Sequence, residues 1–167
     1  MPRFVMPVLV LCLMSISQVF GQNSSTAVCN FDSNSQLAVE YVPMAATSSR
    51  PLFGHEIPYN KVWAPGGKPM TMFVNHPVNV GGRELPIGAY TMFVIPAENK
   101  WTLIISRATD MSGKYDQQRD FVRVPMDTGE LPSAESTFSV YFAHSGPNQC
   151  TMRLDLDRTR AWVDFEK

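Results

Sequence analysis

The sequence carries little charge, and the charge that it has is balanced. Asp, Glu, Lys and Arg make up 17% of 167 residues, and 14 Lys+Arg against 15 Asp+Glu leave a formal net charge of -1. This composition excludes a nucleic-acid binder driven by bulk charge, a coiled coil and a disordered acidic tail. No strong helical period of apolar residues occurs either, so long amphipathic helices are not expected.

The common catalytic motifs are also missing. There is no Gly-x-Ser-x-Gly elbow and no His-Glu-x-x-His spacing, and the three histidines, His55, His76 and His144, are scattered along the chain. We therefore predict no catalytic residues, no metal site and no cofactor. Because a sheet can bring distant residues together, a secreted hydrolase or metal-dependent enzyme built from these histidines and nearby acidic residues is kept as the alternative function.

Only one long apolar run is present, and it lies at the start of the chain. Arg3 precedes an apolar stretch from Val5 through Ile16, which is followed by small or neutral residues up to Gly21. This plan is typical of a secretory signal peptide, and the stretch is shorter than the roughly 20 apolar residues of a transmembrane helix. We expect cleavage after Gly21, a secreted or periplasmic location, and no membrane span in the mature chain.

Cysteine is scarce, with three in the sequence and one of them inside the predicted signal peptide. Cleavage leaves Cys29 and Cys150, an even number in an oxidising compartment. We predict a disulfide between them, with two separate thiols as the alternative. The polar stretch from Gln22 to about Ser35 is expected to be a loose leader with little regular structure, which Cys29 could attach to the domain.

Turn residues are plentiful, with 13 Pro and 10 Gly, and short β-rich runs recur between them. The runs are Leu37–Val42, Met70–Asn75, Val78–Val80, Tyr90–Ile95, Trp101–Ser106, Asp120–Val124, Thr137–Ala143, Cys150–Leu156 and Arg160–Phe165. The fourth is apolar apart from Thr91, which predicts a central strand buried on both faces, and the last three alternate apolar with polar residues, which predicts an antiparallel meander. The predicted fold class is all-β: a single-domain antiparallel two-sheet β-sandwich, jelly-roll-like or Ig-like, over residues 49–167, after a leader over residues 22–48 that holds one possible strand.

Several strings in the chain match a known family pattern. They are Pro51–Gly54, Ile57–Trp63, Val78–Pro96, Trp101–Ile105 and Leu154–Arg160. On these strings the chain, over roughly Ser49 to Lys167, resembles the bacterial exported family known as Domain of Unknown Function 2911. The resemblance implies export and a β-rich domain, and it implies no activity and no catalytic residues.

Two aromatic residues fall on the polar side of the last strands. The period of two places Trp162 and Tyr141 there together with Arg153, Asp155 and Arg160. An exposed indole flanked by charged hydrogen-bonding groups suits a sugar ring or a partner protein, through stacking and directed polar contacts. We predict that these five residues form a ligand-binding site; the alternative is simple packing of the indole under a loop, a neighbouring aromatic ring or an arginine.

The same strand carries two carboxylates. Asp155 and Asp157 are two positions apart, about 7 Å along one face of a strand, which is close enough to imagine a catalytic pair. The neighbouring Arg153, Arg158 and Arg160 favour a solvated ladder of weak ion pairs instead.

A second candidate rim lies earlier in the chain. Its members are Tyr59 and Trp63 with His55 and Lys61, and the alternative is an ordered loop that seals the core.

The favoured function is thus a non-catalytic exported β-sandwich that binds a carbohydrate, a small ligand or an envelope or extracellular protein through exposed aromatic and charged residues. Nucleic acid is not an expected partner, and no residue pattern requires an oligomer.

Overall fold

The computed structural model describes residues 24–32, 34–46, 51–109 and 114–167, which are mostly β-strand. The predicted signal peptide lies outside the described residues. The strands are β1 (Ser25–Asn30), β2 (Gln36–Tyr41), β3 (Met70–Val74), β4 (Val78–Val80), β5 (Arg83–Leu85), β6 (Gly88–Ile95), β7 (Trp101–Ser106), β8 (Asp120–Gly146) and β9 (Gln149–Glu166). The helical elements among the described residues are two three-residue 3₁₀ turns, Pro65–Gly67 and Gln117–Arg119, and neither is long enough to span a membrane.

All nine strands belong to one antiparallel sheet. Their order is β1-β2-β3-β6-β7-β8-β9-β4-β5. The long strand β8 links the strands from β1 to β7 with the strands from β9 to β5, because its first part pairs with β7 and the remainder pairs with β9. The all-β antiparallel expectation is confirmed. The pairing links every strand in one sheet, so the finer expectation of a two-sheet sandwich stays a prediction.

Strand β9 turns back on itself near its middle. Asp157 has a φ of 51°, in the left-handed region that tight reversals use. Side-chain bonds then join positions equidistant from the peptide bond between Asp157 and Arg158: Arg160 donates to Asp155, and Thr151 donates to Asp164. The two halves of β9 therefore run antiparallel side by side.

The core is built by alternation along these strands. In β9 the buried apolar residues are Cys150, Met152, Leu154, Leu156, Ala161, Val163 and Phe165. In β6 even Thr91 is buried, and its hydroxyl donates to the carbonyl oxygen of Ala108 at 2.8 Å. Both sequence predictions are confirmed. The intervening residues of β8 and β9 consequently point away from the core, and the surface that they form is called the outer face below.

The prediction of a loose leader from Gln22 to about Ser35 is wrong. Ser25–Asn30 form β1, which pairs with β2 along its whole length. Only Ala27 and Cys29 of this strand are buried, and the Ser- and Asn-rich composition around them hides so short an alternation. The predicted disulfide between Cys29 and Cys150 is present, and it joins β1 to β9.

Candidate functional site

The outer face brings together all five residues of the predicted ligand site. Strand pairing sets Tyr141 opposite Arg153, and Asp155 bonds to Arg160 across the reversal of β9. Trp162 lines the same surface pocket as Arg153 and Arg160. The sequence thus predicted this juxtaposition from the period of two and the antiparallel meander, whereas the role of the five residues in binding stays a prediction.

Asp155 is the buried centre of this group. Its side chain is only 4% exposed. The Arg160 guanidinium donates from Nε to Oδ1 at 2.9 Å and from Nη2 to Oδ2 at 2.6 Å, and the Tyr141 hydroxyl donates to Oδ2 at 3.0 Å. The hydrogen bonds that Arg160 donates to Asp155 hold the pKa of Arg160 above its ordinary value, so the guanidinium stays charged. The expected solvated ladder is therefore wrong at Asp155, and Asp157 is no catalytic partner for it, because the chain reverses there.

The two arginines of the site differ in their partners. Tyr141 lies between them, with its ring centroid 5.4 Å from the Arg160 guanidinium carbon and 5.8 Å from that of Arg153. Arg160 is occupied by Asp155, as above. No carboxylate among the described residues lies within ion-pair distance of Arg153. Arg153 therefore keeps donor groups that a ligand could use.

Trp162 is half-buried because it leans over a glycine of the neighbouring strand. A Cβ atom at Gly129 would lie 3.2 Å from Cζ3 of the indole. The φ of Gly129 is not in the left-handed region, so the backbone does not require glycine there. A glycine inside a strand commonly marks a close approach by another group. Here it leaves room for the indole and for the depression beside it.

That depression is called the indole pocket. Its volume is about 410 Å³, and it is lined by Gly129, Glu130, Thr151, Arg153, Arg160, Trp162 and Asp164. Thr151 donates to Asp164 at 2.6 Å, which fixes the carboxylate. Sequence reasoning placed Thr151 and Asp164 on the polar face without selecting them. It missed Gly129 and Glu130. The one signal for them in the sequence is Gly129 itself, a glycine inside a strand.

The second candidate rim divides into core and surface. Trp63 packs edge-on against Phe53 at 5.7 Å and against Trp101 at 6.3 Å between ring centroids, so it helps to seal the core. Tyr59 is half-buried and lines a different depression together with Phe53 and Trp101. His55 and Lys61 are exposed. Of the two half-buried aromatic rings of the rim, Tyr59 is therefore the one that lines a depression.

The histidines do not assemble into a common centre. Within the described ranges, the one group of three or more His, Cys, Asp or Glu side chains close enough to hold a metal ion is Cys29, His144 and Cys150, whose ligand atoms lie within 4.8 Å of one another. The two sulfur atoms of this group are bonded to each other as a disulfide and are not available as thiolates. His76 bonds instead to the neighbouring carbonyl oxygen of Pro77 at 2.9 Å.

The fold and the site together define an antiparallel β-sheet protein with a polar, aromatic-centred pocket on the outer face of its sheet. A model of the family described as "Protein of unknown function (DUF2911)" matches residues 23–165, so the chain belongs to that family. The match begins before β1, in agreement with the pairing of β1 in the sheet. Comparisons with curated proteins and with solved structures found no significant match.

Proposed function

We propose that this chain is an exported, non-catalytic binding module, and that its ligand is a carbohydrate held in the indole pocket. The observation that carries the proposal is a half-buried indole beside a guanidinium that no described carboxylate pairs with. A sugar ring offers a flat C–H face that stacks on an indole and a rim of hydroxyls that both donate and accept. The C–H face would stack on Trp162, and the hydroxyls would form hydrogen bonds with Arg153 and Asp164.

The pocket is supported from beneath by bonded groups. Asp155, Arg160 and Tyr141 hold one another through three hydrogen bonds, and Thr151 holds Asp164. Such a network keeps side chains in place before a ligand arrives, which lowers the entropic cost of binding. A site of this kind needs no conformational change to act.

Carbohydrate fits this surface better than a protein partner does. A protein hot spot is a cluster of apolar and aromatic anchors inside a larger apolar patch. The exposed large hydrophobic residues of the described chain are Val28, Val62, Phe73 and Ile87, and none of them lines the indole pocket. One indole surrounded by charged and hydroxyl groups is the composition expected for a sugar.

Export is supported by the signal-peptide pattern of residues 1–21 and by the disulfide, because disulfides persist in oxidising compartments. We expect the secreted or periplasmic protein to begin at Gln22. Expression of the full chain in a bacterium, followed by fractionation and N-terminal sequencing, tests this. Recovery of an uncleaved chain from the cytoplasm would contradict it.

We also propose that the sheet folds over into a two-layer sandwich. The Cys29–Cys150 disulfide joins β1 to β9, and the edge of the Tyr41 ring packs on Phe138 at 5.7 Å between centroids. The strands β1 and β2 lie at one end of the strand order, whereas β8 and β9 lie several strands away. A flat sheet would hold these strands too far apart for either contact.

Binding is tested with the exported protein and a panel of soluble glycans. A glycan at a hundredfold its dissociation constant should stabilise the fold by about 2.7 kcal/mol, which thermal unfolding resolves. Trp162→Ala should abolish the shift, and Trp162→Phe should keep part of it. Phe73→Ala removes an aromatic side chain that is 43% exposed outside the pocket, so it serves as the matched control.

Two outcomes would overturn the proposal, the first for the site and the second for the ligand class. One is a shift that survives in Trp162→Ala as fully as in Phe73→Ala, which would place the sugar elsewhere. The other is the absence of a shift with every glycan, which would favour a protein partner.

A further inference from the structure

The indole pocket is the middle of three depressions in a row. On one side lies the hairpin pocket, about 440 Å³, which takes its name from the β4–β5 turn and is lined by Asn79, Gly81, Gly82, Asp127, Glu166 and others. On the other side lies the loop pocket, about 470 Å³, which is lined by Tyr59, Glu98, Asn99, Trp101, Arg158 and others.

The indole pocket shares lining residues with each of the other two depressions. Trp162 and Asp164 line both the indole pocket and the hairpin pocket. Gly129 and Glu130 line both the indole pocket and the loop pocket. The depressions therefore adjoin one another, and they are treated below as one groove with the indole near its centre. The loop pocket also reaches the core residues Phe53 and Trp101, so the groove is not confined to the outer face.

The groove follows the second half of β9. Its lining extends from Arg158 in the loop pocket to Glu166 in the hairpin pocket. Eight residue steps of about 3.3 Å each give a length of about 26 Å. A single sugar ring would fill only a part of such a groove, whereas a chain of several rings would occupy all of it.

We propose that the groove binds a linear, neutral oligosaccharide of several sugar rings, with the central ring on Trp162. This inference rests on the proposed function and extends it from one ring to a chain. Tyr59 in the loop pocket supplies a second aromatic surface along the same path. Aromatic rings spaced along a groove are suited to a polymer whose repeating units each present a stacking face.

The charges of the groove favour a neutral chain over an anionic one. Its acidic residues are Glu98, Asp127, Glu130, Asp164 and Glu166, and its basic residues are Arg153, Arg158 and Arg160. Arg160 is already neutralised by buried Asp155. A polyanion would therefore meet more negative than positive charge, whereas carboxylates and guanidinium groups both bond well to uncharged hydroxyls.

The position of the groove on the sheet argues against an extended peptide. Peptides commonly add to a sheet by pairing with a free edge. The floor of this groove is formed where β8 and β9 pair, at Asp127–Glu130 against Thr159–Trp162, so the backbone groups there are already used. Recognition must come from side chains, as it does for sugars.

The test is calorimetric titration of the exported protein with oligomers of β-1,4-linked glucose, xylose, mannose and N-acetylglucosamine, from disaccharide to hexasaccharide. The dissociation constant should fall with chain length until the groove is filled. Glu98→Ala and Asn79→Ala change exposed residues at its two ends. Each should weaken hexasaccharide binding about 3- to 10-fold, the effect of one hydrogen bond, and leave disaccharide binding unchanged. Glu40→Ala, an exposed residue of β2, is the matched control.

The possible failures are distinguishable. Binding that depends on Trp162 but is equally tight for disaccharide and hexasaccharide would overturn the extended groove and leave the proposed function standing. A steep loss of binding with added salt would overturn the neutral ligand. No binding of any oligomer would overturn the inference and the proposed function together.

Discussion

Replacing Arg160 by methionine would remove the only cation that bonds to Asp155 among the described residues. The guanidinium makes two hydrogen bonds to the carboxylate, at 2.9 and 2.6 Å. Methionine retains an apolar stem of similar length, so the packing loss is small. The substitution therefore isolates the ionic bonds and leaves a nearly buried carboxylate with the Tyr141 hydroxyl as its remaining side-chain partner.

The expected cost follows from the burial of the two groups. Removing one partner of a fully buried ion pair destabilises a protein by about 3–5 kcal/mol. The Asp155 side chain is 4% exposed, but the Arg160 side chain is 30% exposed, so water screens part of the interaction. We expect Arg160→Met to lower the free energy of unfolding by about 2–4 kcal/mol, and hence the thermal midpoint by about 5–12 °C.

Guanidinium unfolding of the oxidised protein measures this loss, and Arg158→Met is its matched control. Arg158 lies two positions away and pairs with Glu130 at 3.9 Å, with side chains that are 59% and 76% exposed. An exposed pair of this kind contributes at most about 1 kcal/mol. Asp155→Asn completes a double-mutant cycle with Arg160→Met, and we expect the double variant to lose less than the sum of the two single losses.

Two results would refute the reasoning. If Arg160→Met costs no more than Arg158→Met, the carboxylate is not held by the guanidinium. If the two losses at Asp155 and Arg160 simply add, the residues do not act as a pair.

Three further predictions concern the frame around the site. The Cys29–Cys150 disulfide closes a separation of 121 positions, so its removal by double substitution with serine should destabilise the fold by about 5 kcal/mol in guanidinium unfolding. Gly81→Ala should be more destabilising than Gly82→Ala by about 1–3 kcal/mol, because both have positive φ but only a Cβ at Gly81 meets a buried valine of β8, at 2.6 Å. Hydrogen bonds from a lysine and from two backbone N–H groups hold the pKa of Asp32 below its ordinary value of 3.8. The stability that it contributes should be present above about pH 4 and lost as the pH falls further, and Asp32→Asn should remove this acid dependence in thermal unfolding measured across pH.

The period of two predicted most of the sheet. It placed the apolar side of β9 on the core, and the nearly unbroken apolar run of β6 placed that strand at the buried centre, since each has enough large apolar residues to show its pattern. It failed for β1, where Ala27 and Cys29 are the only buried positions. A strand with two small inward residues is held in the sheet by its pairing with β2 and by the disulfide. Neither of these can be predicted from the sequence of the strand itself.

The outer face could be predicted, but the partnerships on it could not. Alternation assigned Tyr141, Arg153, Asp155, Arg160 and Trp162 to one side, and they do lie together. Whether a carboxylate there is solvated depends on what covers it, and that depends on long-range register. The spacing argument for Asp155 and Asp157 failed because it assumed a straight strand through a position where the chain reverses.

The reversal at Asp157 decides which arginine is structural and which is free for a ligand. A turn centred there sets position 155 against position 160, so Arg160 takes the buried carboxylate and Arg153 is left beside the indole. A shift of one residue in the turn would move every side chain of one strand half to the other face and would separate Asp155 from Arg160. The arrangement of the proposed binding site is therefore a consequence of one backbone conformation, at a residue that need not touch the ligand.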